Sequence, residues 1–300
     1  MKVWIPHEAG LAYLGDLPED VDVEIYEGGE RPSDPAGVRL LVPPGGVEPA
    51  QVFADFPALE AVQLLSAGAE TWVPHMPEGI ALCDNKGAHT EATAEWIQTA
   101  TLASIRRFDA FARGQAHRDW RPVRTGTLTG ATALIVGAGS IGESVARRFA
   151  ASGTEILRIA RTARAGVHTV EDLPDLLPKA DVVVIIVPLT PATERLVDAA
   201  FLARMKDGAL LVNAARGRVV DTDALTREVA SGRLRCALDV TEPEPLPADH
   251  ELWGLEGALI TPHVGGAVEG FIGRVYPLVG DQIRRLAAGE PLAHTTENGY

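Results

Sequence analysis

Cysteine is nearly absent from this sequence: Cys83 and Cys236 are the only two in 300 residues. Two thiols make neither a disulfide framework nor a cysteine-rich metal centre. No metal site is therefore expected, and a reducing, cytoplasmic setting is. Positive charge is also short. The 27 Lys and Arg stand against 41 Asp and Glu, a net charge of −14. A chain this acidic repels nucleic acid and anionic lipid at long range, so neither partner is expected and any anion must bind at a local site. Long hydrophobic runs are missing. The strongest, residues 182–187, falls far short of the roughly 18 residues a membrane span needs. Met1-Lys2-Val3-Trp4-Ile5-Pro6 shows no apolar stretch ahead of a small-residue cleavage site, so no leader peptide is expected. What remains is an ordinary globular composition, 46% hydrophobic and 23% charged, over a length that fits about two domains.

Short β-branched runs alternate with helical patterns along nearly the whole chain. Residues 2–5, 21–26, 39–42, 61–65 and 80–83 read as strands, punctuated by Pro and Gly clusters such as Pro43-Pro44-Gly45-Gly46. From 91 to about 113 the period changes. Ile97, Thr101, Ile105 and Phe108 recur at three- and four-residue steps, which predicts one long connecting helix. A second unit follows with strands at 132–136, 155–160, 181–187, 209–212, 235–240 and 259–261. Strands separated by helical stretches favour βαβ units and parallel sheets. The amphipathic stretch 272–286 is placed to return the chain to the first unit.

The strand at 132–136 runs directly into Gly137-Ala138-Gly139-Ser140-Ile141-Gly142. Gly137 permits the tight turn, and Gly139 lets backbone N–H groups approach a pyrophosphate. Gly142 allows the following helix to pack closely on the strand, while its N-terminus supplies partial positive charge. In strand–turn–helix context the pattern predicts dinucleotide binding. The next strand ends in Arg161-Thr162-Ala163-Arg164, with no carboxylate to hold a ribose diol. Two guanidiniums and a hydroxyl suit a 2′-phosphate, so NADP(H) is preferred and NAD(H) possible.

Three further segments carry polar chemistry, each just beyond a strand: Asn213-Ala214-Ala215-Arg216-Gly217-Arg218, Asp239-Val240-Thr241-Glu242-Pro243-Glu244-Pro245 and Thr261-Pro262-His263-Val264-Gly265-Gly266. Ligands of open parallel sheets sit beyond the carboxyl ends of strands, so an arginine, a carboxylate and a histidine can converge there. Taken singly, each has a bland reading as an ion-pair partner, a solvated acid or a turn histidine. Asp221 reads as a helix N-cap.

These motifs, in this order, resemble the D-isomer-specific 2-hydroxyacid dehydrogenases, and among them the NADP-dependent glyoxylate/hydroxypyruvate reductases. The likeness rests on the glycine loop, Val187-Pro188-Leu189-Thr190 and the three segments above, and it extends over essentially the whole chain. It implies an α/β fold of two Rossmann-like or flavodoxin-like domains with parallel sheets and the active site in the cleft between them. Residues 1–97 plus 269–300 would form the substrate domain and 98–268 the dinucleotide domain, with a homodimer built through the latter. The resemblance makes Arg216 the group that binds the 2-oxo acid carboxylate and polarises its carbonyl, and His263 the general acid. Glu244 would orient His263, a nearby carboxylate favouring the imidazolium. Asp239 would hold the nicotinamide carboxamide, with further cofactor contacts at Gly137, Gly139, Ser140, Ile141, Gly142, Arg161, Thr162, Arg164, Val187, Pro188, Thr193, Ala214 and Gly265. Backbone N–H groups at Ala67 and Gly68, in Ser66-Ala67-Gly68-Ala69, match the family's substrate loop. Glu70 and Thr241 depart from common family residues. Trp72, Trp96, Trp120 and Trp253 are candidates for shaping the substrate pocket, although large aromatics more often fill cores.

The resulting expectation is NADPH-dependent reduction of a small 2-oxo acid to the D-2-hydroxy acid. The alternatives are an NAD-linked D-2-hydroxy acid dehydrogenase of the phosphoglycerate type, and a non-catalytic dinucleotide sensor on the same fold.

Overall fold

The computed structural model describes residues 1–296, with the side chains of all of these except Gln51 and Ala54. Its contacts divide the chain into two compact units: Met1–His89 with the segment from Glu269 onward, and Thr90–Val268. The boundary expected at 97/98 falls inside a helix that starts at Thr90, and the contacts place that whole helix with the second unit.

The first unit carries strands β1 (Lys2–Ile5), β2 (Asp22–Ile25), β3 (Val38–Leu41), β4 (Ala61–Gln63) and β5 (Ala81–Cys83), and helices α1 (Pro49–Val52) and, in the last segment, α8 (Phe271–Ala288). All strand pairs are parallel, in the order β2-β1-β3-β4-β5. This is the flavodoxin order. Alternation of side chains along β1 builds two apolar layers. Val3 and Ile5 face Val275, Tyr276, Val279 and Ile283 of α8. Trp4 faces the other way, with Phe56, Val62 and Trp72. The returning helix packs closely: a Cβ on Gly280 would stand 1.9 Å from the Leu14 carbonyl oxygen.

The second unit comprises α2 (Thr90–Ile105), α3 (Phe108–Ala116), β6 (Thr132–Val136), α4 (Ser140–Ala151), β7 (Glu155–Ile159), α5 (Leu173–Leu176), β8 (Val182–Ile185), α6 (Ala199–Arg204), β9 (Leu210–Asn213), α7 (Thr222–Ala230), β10 (Arg235–Leu238) and β11 (Ala258–Ile260). Its strands, again all parallel, run β11-β10-β9-β8-β6-β7. The third strand of a six-stranded dinucleotide fold survives only as a one-residue parallel bridge between Ile159 and His168 on the outer side of β7. Order reverses between β6 and β8, and that switch point is where the glycine loop emerges. Both sheet faces are covered, which accounts for the unbroken apolar run of β8.

One element differs from expectation. The long helix predicted over 91–113 is two helices, because Arg107 takes the left-handed conformation (φ 58°) and interrupts the i→i−4 ladder. Ile97, Thr101 and Ile105 are buried as the periodicity requires, but Phe108, beyond the break, is 61% exposed. Among the described residues no helix is long and apolar enough to cross a membrane. Burial pushes both thiols up to about 12, which leaves neither as a nucleophile at neutral pH.

Asp221 caps α7 as its spacing predicts: its carboxylate accepts the Ala224 N–H at 2.9 Å. That bond and the Arg195 guanidinium hold the carboxyl below the usual carboxylate range. A folded-state value below the unfolded one stabilises above about pH 4 and loses the contribution as pH falls through the folded value. Asp221→Ala is therefore expected to cost about 1 kcal/mol at neutral pH. In denaturant unfolding, the difference from the parent should shrink in acid.

Candidate functional site

Two of the three loop glycines are required by packing. Gly137 sits at φ 122°, and a Cβ there would lie 2.3 Å from the Ile186 carbonyl oxygen. A Cβ on Gly142 would lie 1.9 Å from the Gly137 carbonyl oxygen, so α4 can start this close to β6 only with glycine. Gly139 differs: a Cβ there would meet nothing within 4 Å. It precedes a 12-residue helix whose first N–H groups receive no side-chain cap. Uncapped donors beside an open glycine face make a cradle of the kind a pyrophosphate fills, so the donor set fits a dinucleotide. Ser140 is exposed and accepts from Thr90 Oγ1 at 3.1 Å, while Ile141 packs against the core under α2.

Of the two strand-end arginines, Arg164 contacts this loop. Arg164 donates to the Ala138 carbonyl at 2.7 Å and closes a tight turn with Val167. Arg161 and Thr162 are exposed and make no hydrogen bond or ion pair among the described residues. The segment just after β7 holds no carboxylate, yet the fold supplies one from another element. Glu143, in the first turn of α4, accepts from Arg158 Nη1 on both oxygens at 2.7 Å and lies 3.8 Å from Arg164. No signal in the sequence pairs a helix residue with a strand residue fifteen positions on.

Past β8, Thr193 Oγ1 donates to the Pro188 carbonyl at 2.5 Å and accepts the Thr190 N–H at 2.8 Å, fixing the turn that starts at Val187. Past β9, the buried Asn213 side chain donates to the Arg216 carbonyl and accepts from Ala215 N–H, both at 3.0 Å. Its neighbour Ala214 donates from the backbone to Ile185. These bonds hold half-buried Arg216, whose Nη1 also donates to the Ala215 carbonyl at 2.7 Å. Gly217 lets this loop touch the next one, since a Cβ there would lie 1.8 Å from the Thr241 carbonyl oxygen.

Asp239 organises the histidine turn. It is only 5% exposed. Its carboxylate accepts from Thr261 Oγ1 at 2.6 Å, Val264 N–H at 2.9 Å and Gly265 N–H at 2.7 Å. Its carbonyl accepts the His263 N–H at 2.8 Å. Gly265 must stay small, because a Cβ there would lie 2.8 Å from Asp239 Oδ2. Within this frame His263 is held at φ 53°, a left-handed conformation that costs a non-glycine residue energy and persists only where its surroundings fix it. Its Nδ1 lies 2.7 Å from Glu244 Oε1, with both side chains partly open to solvent. Thr222 and Thr241 anchor the Glu244 turn through the carbonyls of Glu242 and Pro243, each at 2.8 Å.

In the first unit, Ser66 Oγ donates to the Gly68 carbonyl at 2.8 Å and bends the 66–69 loop. The half-buried N–H groups of Ala67 and Gly68 donate to nothing among the described residues. Of the four tryptophans considered for the substrate pocket, Trp72 is core against Phe53, while Trp120 (95% exposed) and Trp253 (52%) lie on the surface. Trp96 stands beside Gly265.

Residues 98–265 match the family model D-isomer specific 2-hydroxyacid dehydrogenase, NAD binding domain. The chain is 37% identical over 233 residues to a glyoxylate reductase of Thermofilum pendens, covering 73% of this chain and 69% of that one. It is 33% identical over 298 residues to a D-3-phosphoglycerate dehydrogenase of Mycobacterium leprae, where 94% of this chain spans only 56% of the relative. Among solved structures, a D-isomer specific 2-hydroxyacid dehydrogenase from Xanthobacter autotrophicus Py2, in complex with NADPH and MES, superposes with a TM-score of 0.84 at 30% identity. That match covers 100% of this chain and 99% of the other.

Proposed function

The chain belongs to the D-isomer specific 2-hydroxyacid dehydrogenase family, and from that premise we propose that it reduces a small 2-oxo acid of the glyoxylate or hydroxypyruvate kind to the D-2-hydroxy acid, with NADPH. The observation that carries the reading is the His263–Glu244 pair at 2.7 Å on a turn braced by Asp239. When bound, the nicotinamide supplies a hydride; the chain's own residues must neutralise the alkoxide that develops. With Nδ1–H given to Glu244, Nε2 is the nitrogen that hands a proton to the carbonyl oxygen. Arg216 binds the substrate carboxylate and polarises the carbonyl, and its guanidinium stabilises negative charge on oxygen as it grows. The free N–H groups of Ala67 and Gly68 are assigned to the substrate carboxylate. Asp239 keeps Gly265 and His263 in place and is also assigned to the carboxamide edge of the nicotinamide.

NADPH is favoured over NADH because Arg161, Thr162 and Arg164 follow β7 with no carboxylate among them, and Arg164 reaches the glycine loop. The Xanthobacter relative's complex with NADPH supports the same choice. The paucity of cysteine supports placement in the cytoplasm. A panel of 2-oxo acids tested with NADPH and with NADH checks the reading. Turnover of glyoxylate or hydroxypyruvate with NADPH is expected, and turnover only with NADH and 3-phosphohydroxypyruvate would favour the phosphoglycerate-type alternative.

The homodimer is assigned to exposed apolar residues in the same unit as the glycine loop: Phe108, Phe111, Trp120 and Val123 are 61, 40, 95 and 55% exposed. Sedimentation should give twice the 31.8 kDa chain mass, and a Phe108→Asp/Trp120→Asp double variant should sediment as the single chain.

A further inference from the structure

Glu143 presents a difficulty that rests on the NADPH reading above. A carboxylate in the first turn of α4, 3.8 Å from Arg164, stands near the place assigned to a 2′-phosphate and should oppose it. The structure shows what answers that charge. Arg158, on β7, donates from Nη1 to both Glu143 oxygens at 2.7 Å, and its Nη2 donates to the Gly166 carbonyl at 3.3 Å. The pair is partly shielded, with the Arg158 side chain 23% exposed and that of Glu143 44%. Gly166 is at φ 71° in the turn closed by Arg164 and Val167. One guanidinium thus joins the start of α4, the strand and the turn that carries Arg164.

We propose that Arg158 is a selectivity-determining residue: it neutralises Glu143 and so lets Arg161 and Arg164 accept a nucleotide 2′-phosphate. It acts through Glu143 and the turn rather than by touching the phosphate, which makes it a positioning residue. The count of charges supports this. Arg158, Arg161, Arg164 and Glu143 sum to two positive charges, matched to a phosphate dianion. Without Arg158 only one remains, and the carboxylate is left uncompensated beside the anion. Arg→Met keeps the apolar stem and removes the charge. Glu→Gln in that background then removes the carboxylate that Arg158 had held.

The test compares binding of adenosine 2′,5′-bisphosphate with that of 5′-AMP by calorimetry, for the parent, Arg158→Met, Glu143→Gln and the double variant, with thermal melting as the check on folding. The parent should prefer the bisphosphate. Arg158→Met should lose that preference by about tenfold or more while keeping 5′-AMP binding. Glu143→Gln should hold or raise the preference, and the double variant should recover most of what Arg158→Met lost. A parent that binds both nucleotides alike overturns the NADPH reading and this inference together. A selective parent whose Arg158→Met variant stays equally selective overturns the inference alone. Loss in Arg158→Met that Glu143→Gln does not restore also overturns it, because the guanidinium would then act directly or only structurally.

Discussion

His263→Ala is expected to lower turnover by about 10²–10⁴-fold while leaving NADPH affinity within a few-fold of the parent, because the imidazole is needed at proton transfer and not at cofactor docking. The turn that carries it should survive. Its frame is made by Asp239, whose carboxylate accepts three hydrogen bonds from residues other than the imidazole. Alanine at this position inherits the left-handed backbone (φ 53°), a cost that histidine already bears, so folding stability should change little. The split is read by stopped-flow reduction of glyoxylate against fluorescence titration with NADPH. If turnover persists near the parent value, the proton comes from elsewhere. Glu244→Gln should lower the rate less, since an amide oxygen can still accept from Nδ1 and keep the ring oriented. If it leaves the rate untouched, Glu244 is not the partner and Glu242 is the next candidate.

The second large effect separates two glycines three residues apart. Gly142→Ala places a Cβ 1.9 Å from the Gly137 carbonyl oxygen, so β6 and α4 must move apart. About 1–3 kcal/mol of stability should be lost, as for other overpacked sites, and dinucleotide affinity should fall with it. Gly139→Ala adds a methyl to open space, at φ −83° where any residue is at ease. Its melting temperature should match the parent's while affinity for both NADPH and NADH falls at least tenfold, because the methyl stands where backbone N–H groups must approach the pyrophosphate. Equal melting temperatures for the two variants would contradict the packing argument. Undiminished binding by Gly139→Ala would move the pyrophosphate elsewhere.

Much of this architecture could be read before any coordinates, for identifiable reasons. Strands such as β8 and β6 are apolar on consecutive residues because both sheet faces are covered, and that pattern is local. The glycine loop was equally legible, since turn, close approach and helix start each ask for glycine at a fixed spacing. The break at Arg107 was not. A left-handed arginine has no sequence signature like that of glycine, and the apolar period runs on to Phe108 as though the helix continued. The loss of the third strand was hidden for a similar reason, because its remnant at His168 is a single bridged residue. Tertiary pairings lay beyond reach altogether. Glu143 reads as an ordinary acid in a helix's first turn, and Arg158 as one charge within a strand. Asp239 and Asn213 read as motif members, while their work of bracing the loops around His263 and Arg216 depends on neighbours from other strands.

The central claim is that a hydride passes from NADPH to a 2-oxo acid on this chain. It is tested most directly by incubating the protein with glyoxylate or hydroxypyruvate and NADPH deuterated at the transferable position, then analysing the product by mass spectrometry and chiral chromatography. The account predicts one deuterium on the carbinol carbon and, from hydroxypyruvate, the D-configured acid. Saturable binding of NADPH with no deuterium in any product, across a panel of 2-oxo acids, would contradict it and leave a dinucleotide-binding protein that does not catalyse this reduction.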